Sequence, residues 1–196
     1  MYDNTEIRIL EQIYLNPGIH KRELSKKLKL GMPSIDYGLQ KISRLIKQKK
    51  AGNQIRCFLD YSKEDLTPSL NIVEHYRFEK LPAKVRLSVN DFLKELKDKP
   101  VIIVIFGSYA SGAYSKNSDI DILLVFQKIE DSKKIEDIAK KISMKTNTQL
   151  NSVYLNYQKF KESFHNPTKE FFKKLKKDKI ILIGIEWWRQ LIDEEA

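Results

Sequence analysis

The chain carries a single cysteine, Cys57, among 196 residues. An internal disulfide needs two, so a disulfide framework is excluded. Only His20, His75 and His165 could join that cysteine at a metal, which disfavours a structural zinc centre. Long apolar runs are missing too: none approaches the ~18 residues a membrane span needs. The start, MYDNTEIRIL, has neither a basic segment nor an apolar one, so no secretory signal is expected. These absences point to a reducing, cytoplasmic setting with no membrane partner. Acidic side chains are also in deficit. Lys+Arg number 36 against 26 Asp+Glu, a formal net charge of +10. Hydrophobic residues at 41% still suffice for a packed core, which excludes a disordered chain.

The excess charge is uneven. Residues 1–60 hold 12 basic and 6 acidic side chains, and residues 17–56 hold 11 against 2. Residues 61–98 balance at 7 and 7. A small basic N-terminal unit suggests a polyanionic partner, although 29 of the 36 basic residues are lysine, as a merely lysine-rich chain would also have.

Within that unit, Ile7, Leu10 and Tyr14 form a helical stripe over 3–15, stopped by Asn16-Pro17-Gly18. A short helix is expected over Lys21–Leu30. A longer one opens at Pro33-Ser34, with Ile35, Leu39, Ile42 and Ile46 spaced i, i+4, i+7, i+11. Lys49–Asn53 is expected as a turn and Gln54–Leu59 as a strand. The outer face of the third helix would carry Tyr37, Lys41, Arg44 and Gln48, with Lys49, Lys50 and Arg56 on the following hairpin. Those side chains can hydrogen-bond phosphates and base edges. Asp36 is discordant on a phosphate-facing helix, and Gly38 weakens it by ~1 kcal/mol relative to Ala. The segment GIHKRELSKKLKLGMPSIDYGLQKISRLIKQKK resembles winged helix-turn-helix DNA-binding domains, which implies double-stranded DNA as a partner.

Residues 61–98 read as a helical connector. One stripe is Leu66, Leu70 and Val73; the other, after Pro82, is Val85, Val89, Phe92 and Leu96. Packing on a neighbouring domain, or pairing across a two-fold axis in a homodimer, would bury them.

From residue 100 the pattern changes. Val101–Phe106 is a continuous apolar run suited to a strand buried on both faces. Further strands are expected over Asp119–Phe126, Gln149–Leu155 and Ile180–Ile183. Helices are expected over 131–145, 157–164, 168–177 and 186–194. Asp119 and Asp121, at i and i+2 of a strand, point to one face roughly 6.5–7 Å apart. Two carboxylates so close stay ionised together only with a cation between them, and oxygen ligands suit Mg²⁺ or Mn²⁺. Gly107 lets a phosphate approach the backbone, and Ser108 can donate to it.

The stretch FGSYASGAYSKNSDIDILLV, residues 106–125, resembles the minimal nucleotidyltransferases of the DNA polymerase beta superfamily. Gly107-Ser108 follows the first strand, and Ser118-Asp119-Ile120-Asp121 opens the second. The resemblance implies that Asp119 and Asp121 are catalytic metal ligands and that Gly107, Ser108 and Ser118 contact the nucleotide. It implies attack on the α-phosphorus of a nucleoside triphosphate such as ATP, and a protein is one acceptor the family allows. The pattern also demands a third carboxylate on the next strand. That strand reads QLNSVYLNY, with Asn151 or Ser152 at the position and no Asp or Glu between Asp137 and Glu162. His165, Lys116, Trp187-Trp188 and the lysines of 173–179 are weaker candidates, read as a turn residue, a loop lysine, core packing and a solvated helix face.

The fold expected is therefore α+β: a winged helix-turn-helix over 1–60, a connector over 61–98 and a nucleotidyltransferase-like domain with a mixed β-sheet over 99–196. Two functions stay open. One is Mg²⁺-dependent transfer of a nucleoside monophosphate to an unknown acceptor. The other is DNA-bound regulation by a catalytically degenerate, nucleotide-binding protein.

Overall fold

A computed structural model describes residues 4–128, 132–166 and 170–194. Asp3, residue 131 and 168–169, expected at helix starts, and Pro167, expected in a turn, lie outside the described residues. The chain divides into two compact units, Met1–Tyr76 and Arg77–Ala196. No helix of the described residues is long and apolar enough to cross a membrane.

The first unit runs α1 (Asn4–Leu15), β1 (Ile19–His20), α2 (Lys21–Leu28), α3 (Met32–Lys41), β2 (Ile46–Ala51), β3 (Gln54–Leu59) and most of α4 (Leu66–Glu79). The three strands form an antiparallel sheet in the order β1-β3-β2. Ile9, Leu10 and Ile13 of α1 are buried, as are Leu24 of α2 and Ile35 and Leu39 of α3. The buried hydroxyl of Tyr14 donates to Glu74 Oε1 at 2.9 Å and ties α1 to α4. At the base of the β2–β3 hairpin, Lys47 and the Ser62 hydroxyl hold the Asp60 carboxyl down at about 2.

The third helix is shorter than its apolar spacing predicts. It ends at Lys41; Ser43–Leu45 form a 3₁₀ turn, and Ile46 starts β2 opposite Leu59. Ile46 thus matches the helical stripe by coincidence of spacing. The chain beyond it, Lys47–Lys50, has no apolar residue to extend that stripe, whereas pairing with β3 satisfies its backbone. Arg44 and Gln48 therefore do not share a helix face with Tyr37 and Lys41. Arg44 pairs with Asp65 at 3.2 Å, and Gln48 lies in β2 opposite Cys57. The turn is also tighter than expected: Lys49, Lys50 and Ala51 are in β2, and only Gly52-Asn53 joins the strands.

The second unit runs α5 (Ala83–Glu95), β4 (Ile102–Phe106), α6 (Gly107–Ser111), β5 (Ile120–Phe126), α7 (Ser132–Thr146), β6 (Leu150–Asn156), α8 (Tyr157–Phe164), α9 (Glu170–Lys177), β7 (Ile180–Ile183) and α10 (Ile185–Asp193). Its sheet is mixed, in the order β6-β5-β4-β7, with β5–β6 parallel and the other pairs antiparallel. Alternation along the strands divides the side chains between two faces. Ile103, Ile105, Ile122 and Leu124 pack with Val85, Val89 and Phe92 of α5 and Ile135 and Ile142 of α7. Val104, Leu123 and Val125 are buried on the other face, where α8 and α10 contact the strands.

Gly38 has a packing role that outweighs its low helix propensity. A Cβ built there would collide with Ile9 Cδ1, a fully buried side chain. Gly38→Ala should gain ~1 kcal/mol of helix propensity and lose about 1–3 kcal/mol to overpacking. The expected result is a lower Tm in thermal denaturation, restored in the double variant Ile9→Val/Gly38→Ala. A single variant more stable than wild type would show that propensity alone matters.

Candidate active site

One row of side chains crosses the sheet of the second unit. Phe106 of β4 stands opposite Asp121 of β5, which stands opposite Asn151 of β6. All three therefore share a face. Asp119 lies just before β5, exposed, while Asp121 is half-buried. The register also decides between the two candidates on the third strand. Asn151 is the residue facing Asp121, and Ser152 pairs with Ile122 on the opposite face.

Asn151 binds both carboxylates. Its Nδ2 donates to Asp121 Oδ1 at 3.2 Å and to Asp119 Oδ2 at 3.4 Å, and its Oδ1 accepts from Gln149 Nε2 at 3.3 Å. The amide nitrogen faces the acids because two anions leave no place for the carbonyl oxygen. Burial pushes the Asp121 carboxyl above its usual range; the Asn151 hydrogen bond opposes this, and the nearby Asp119 charge adds to it. Among the described residues no three His, Cys, Asp or Glu side chains converge on one point. The pair Asp119/Asp121 is thus the oxygen-rich donor set, and its chemistry fits one hard divalent cation completed by ligand and water oxygens.

Gly107 opens α6 in the left-handed region, φ +71°, and a Cβ there would run into Asp121 Oδ2. The residue is glycine for two reasons at once: its backbone conformation and the carboxylate packed on its Cα. Ser108, in the first turn of α6, is half-buried. Ser118, expected to contact the nucleotide, is held by bonds within its own loop. Its hydroxyl accepts from the Ser115 backbone at 2.8 Å, and its carbonyl accepts from the Tyr109 hydroxyl at 3.3 Å. It closes the loop that brings Asp119 back to the sheet.

The weaker candidates sort themselves out. Trp188 is 1% exposed, in the aromatic cluster with Phe160 and Phe164, while Trp187 meets Tyr157 edge-on. His165 caps α8, with Nε2 3.0 Å from the Leu191 carbonyl. Lys116 is exposed on the loop. The lysines of 173–179 are not uniformly solvated: Lys179 is 6% exposed, and its Nζ donates to the Lys176 carbonyl at 2.7 Å. Local hydrogen bonding to the α9 carbonyls lets that ammonium be buried, which sequence spacing does not reveal.

In the first unit, Tyr37 is 60% exposed on α3, with Lys41 Nζ 5.3 Å from its ring centroid. Asp36 is neutralised by Lys21 at 2.6 Å, which removes the discordant charge. Gln48, Lys49, Lys50 and Arg56 are exposed on the hairpin, with Lys49 facing Arg56 across the strands.

Residues 88–182 match the family model described as Polymerase beta, Nucleotidyltransferase. That span includes Gly107, Ser108, Asp119, Asp121 and Asn151. A protein of Methanocaldococcus jannaschii named "Putative protein adenylyltransferase" is 36% identical over 64 residues, 29% of this chain and 65% of that relative. The chain thus spans just under two thirds of the relative's length. A crystal structure of a toxin-antitoxin with AMP-PNP aligns at 19% identity and a TM-score of 0.42, covering 58% of this chain and 86% of that one. Another, described as a "putative nucleotidyltransferase" from Sulfolobus solfataricus, aligns at 23% identity and a TM-score of 0.29, covering 57% and 84%.

The raised Asp121 pKa has a sign that can be tested. The folded chain holds this proton more tightly than the unfolded chain does. The resulting stability is full below the ordinary carboxylate pKa of about 4 and is lost as pH rises through the folded value. Asp121→Asn removes that cost. The metal-free variant should melt above wild type at pH 7, and the gap should close toward pH ~4, the ordinary carboxylate value. A pH-independent gap would assign the difference to packing.

Proposed function

We propose that the second unit binds a nucleoside triphosphate, such as ATP, with Mg²⁺ or Mn²⁺ and transfers its nucleoside monophosphate slowly to an acceptor, and that the first unit binds double-stranded DNA as a winged helix-turn-helix. The observation that carries the nucleotide reading is the fit of Gly107 against Asp121, with a second carboxylate, Asp119, two residues before it. The family match over the same residues supports it. In this reading Asp119 and Asp121 hold the cation, which supplies charge neutralisation for the transferring phosphate and the leaving pyrophosphate. Gly107 admits a phosphate oxygen to the backbone, and Ser108 donates to it. The name of the M. jannaschii relative favours a protein hydroxyl as acceptor. Self-association of the chain stays within this proposal.

Asn151 favours a second reading, in which nucleotide binding regulates DNA binding and little transfer occurs. A general base typically contributes ~10²–10⁴-fold, and a neutral amide cannot accept the acceptor's proton. Asn151 steadies the two carboxylates and does nothing for the attacking hydroxyl.

Calorimetry should detect triphosphate binding that requires Mg²⁺ and is lost in the Asp119→Asn/Asp121→Asn double variant. Equal binding in EDTA would contradict the proposal. Asn151→Asp should increase labelled pyrophosphate release by about 10-fold or more if an acid at this position restores a base. Vigorous wild-type transfer unaffected by that change would place the base elsewhere.

For the first unit, the exposed surface of Tyr37, Lys41, Gln48, Lys49, Lys50 and Arg56 supports a duplex partner. With ~4–6 phosphates contacted, log affinity should fall against log salt with a slope of about −0.9 per phosphate. Lys50→Ala should reduce that slope by roughly 1. Absence of binding by the full chain at ~50 mM salt, where phosphate contacts are strongest, would redirect the hairpin to a protein contact.

A further inference from the structure

The lysines of 173–179 divide by position. Lys173 and Lys177 are exposed, Lys176 lies 4.2 Å over the Phe164 ring, and Lys179 is buried. Lys174 instead borders a cavity of about 340 Å³ that opens at Gly107. One wall is Gly107 and Ser111 of α6. The other is Phe171, Lys174, Leu175 and Asp178, spaced i, i+3, i+4, i+7 on a single face of α9 and its last turn. Phe106 closes the end, 5.3 Å from Phe171 in an edge-to-face contact.

We propose that this cleft receives the nucleoside of the triphosphate. Its base would lie against Phe106 and Phe171, with its donor groups toward the Asp178 carboxylate and its phosphates toward Lys174. The proposal rests on the nucleotide reading above and adds a base preference to it. Four observations support it. The cleft starts at Phe106, which pairs with Asp121 across one strand spacing, about 4.8 Å. Its volume is that of a small-ligand site. Its walls are mostly apolar and aromatic, as a flat base requires. Among the described residues neither Lys174 nor Asp178 has an ion-pair partner, so a cation and an anion face one apolar cleft unmatched. A nucleotide offers each a counterpart, whereas inorganic phosphate would leave Asp178 facing another anion. Carboxylate chemistry then sets the ranking. Guanine presents two parallel N–H donors, and adenine and cytosine present an exocyclic amine. Uracil presents one N–H between two carbonyls that the carboxylate repels.

The test is calorimetry of the full chain with Mg²⁺ and nonhydrolysable analogues of GTP, ATP and UTP, with inorganic tripolyphosphate as a probe that lacks a base. Wild type should prefer the amine-bearing analogues to the UTP analogue by about tenfold, the worth of one hydrogen bond to a charged group. Asp178→Asn should abolish that preference. Phe171→Leu should weaken all three nucleotides, and tripolyphosphate binding should be unchanged in both variants, which also shows that they fold. Nucleotide binding without base preference, or with wild-type affinities in both variants, overturns the cleft and leaves the Asp119/Asp121 reading standing. Failure of wild type to bind either tripolyphosphate or nucleotide overturns both.

Discussion

The amide of Asn151, donating to Asp119 and Asp121 together, is the contact on which the second unit's chemistry depends. Two carboxylates on adjacent same-face positions repel each other, and partial burial of Asp121 adds a solvation cost. An acid at position 151 would place a third negative charge in the row and require more cation to balance it. A neutral donor instead gives both carboxylates a hydrogen bond at no added charge. In the proposed transfer reaction, asparagine at this position leaves no carboxylate on β6 to take a proton from an acceptor.

That contact is built by strand register. β5 pairs with β4 on one side and β6 on the other, so Phe106, Asp121 and Asn151 fall into one line. A one-residue slip in β6 would put Ser152 beside Asp121 and turn Asn151 to the face packed by α5 and α7. Register is secured by the apolar residues of the same strands. Leu123 and Val125 continue the acidic face into a buried layer, and Ile120, Ile122 and Leu124 are fully buried on the other. The packed core and the polar row are two consequences of a single alternation, and α6 adds Gly107 to it at the end of β4.

Much of this was legible in the sequence because it depends on short-range pattern. Continuous apolar runs marked β4, β5 and β7, and Gly107-Ser108 with Asp119-x-Asp121 marked the turn and the same-face acids. The absence of a third acid was visible as well. The consequence of that absence was not, since the bridge from Asn151 to both carboxylates requires the parallel pairing of β5 with β6, a long-range fact. The end of α3 at Lys41 is not legible in the sequence, because Ile46 sits at a helical interval from Ile42 while starting a strand. Lys47–Ala51, exposed on both faces of β2, offers no apolar alternation to mark the strand. The face of α9 that borders Gly107 is not legible in the sequence, since four lysines and two phenylalanines in eight residues suggest only an amphipathic helix.

We propose that Asp119 and Asp121, braced by the Asn151 amide, hold one divalent cation at a nucleotide site. Crystals soaked with Mn²⁺ and a nonhydrolysable triphosphate, measured at the manganese edge, test it directly. The account predicts one anomalous peak within about 2.0–2.4 Å of an oxygen of each aspartate, the range for hard divalent ions, with phosphate density beside Gly107. No peak at the pair, or two fully occupied peaks there, would contradict it.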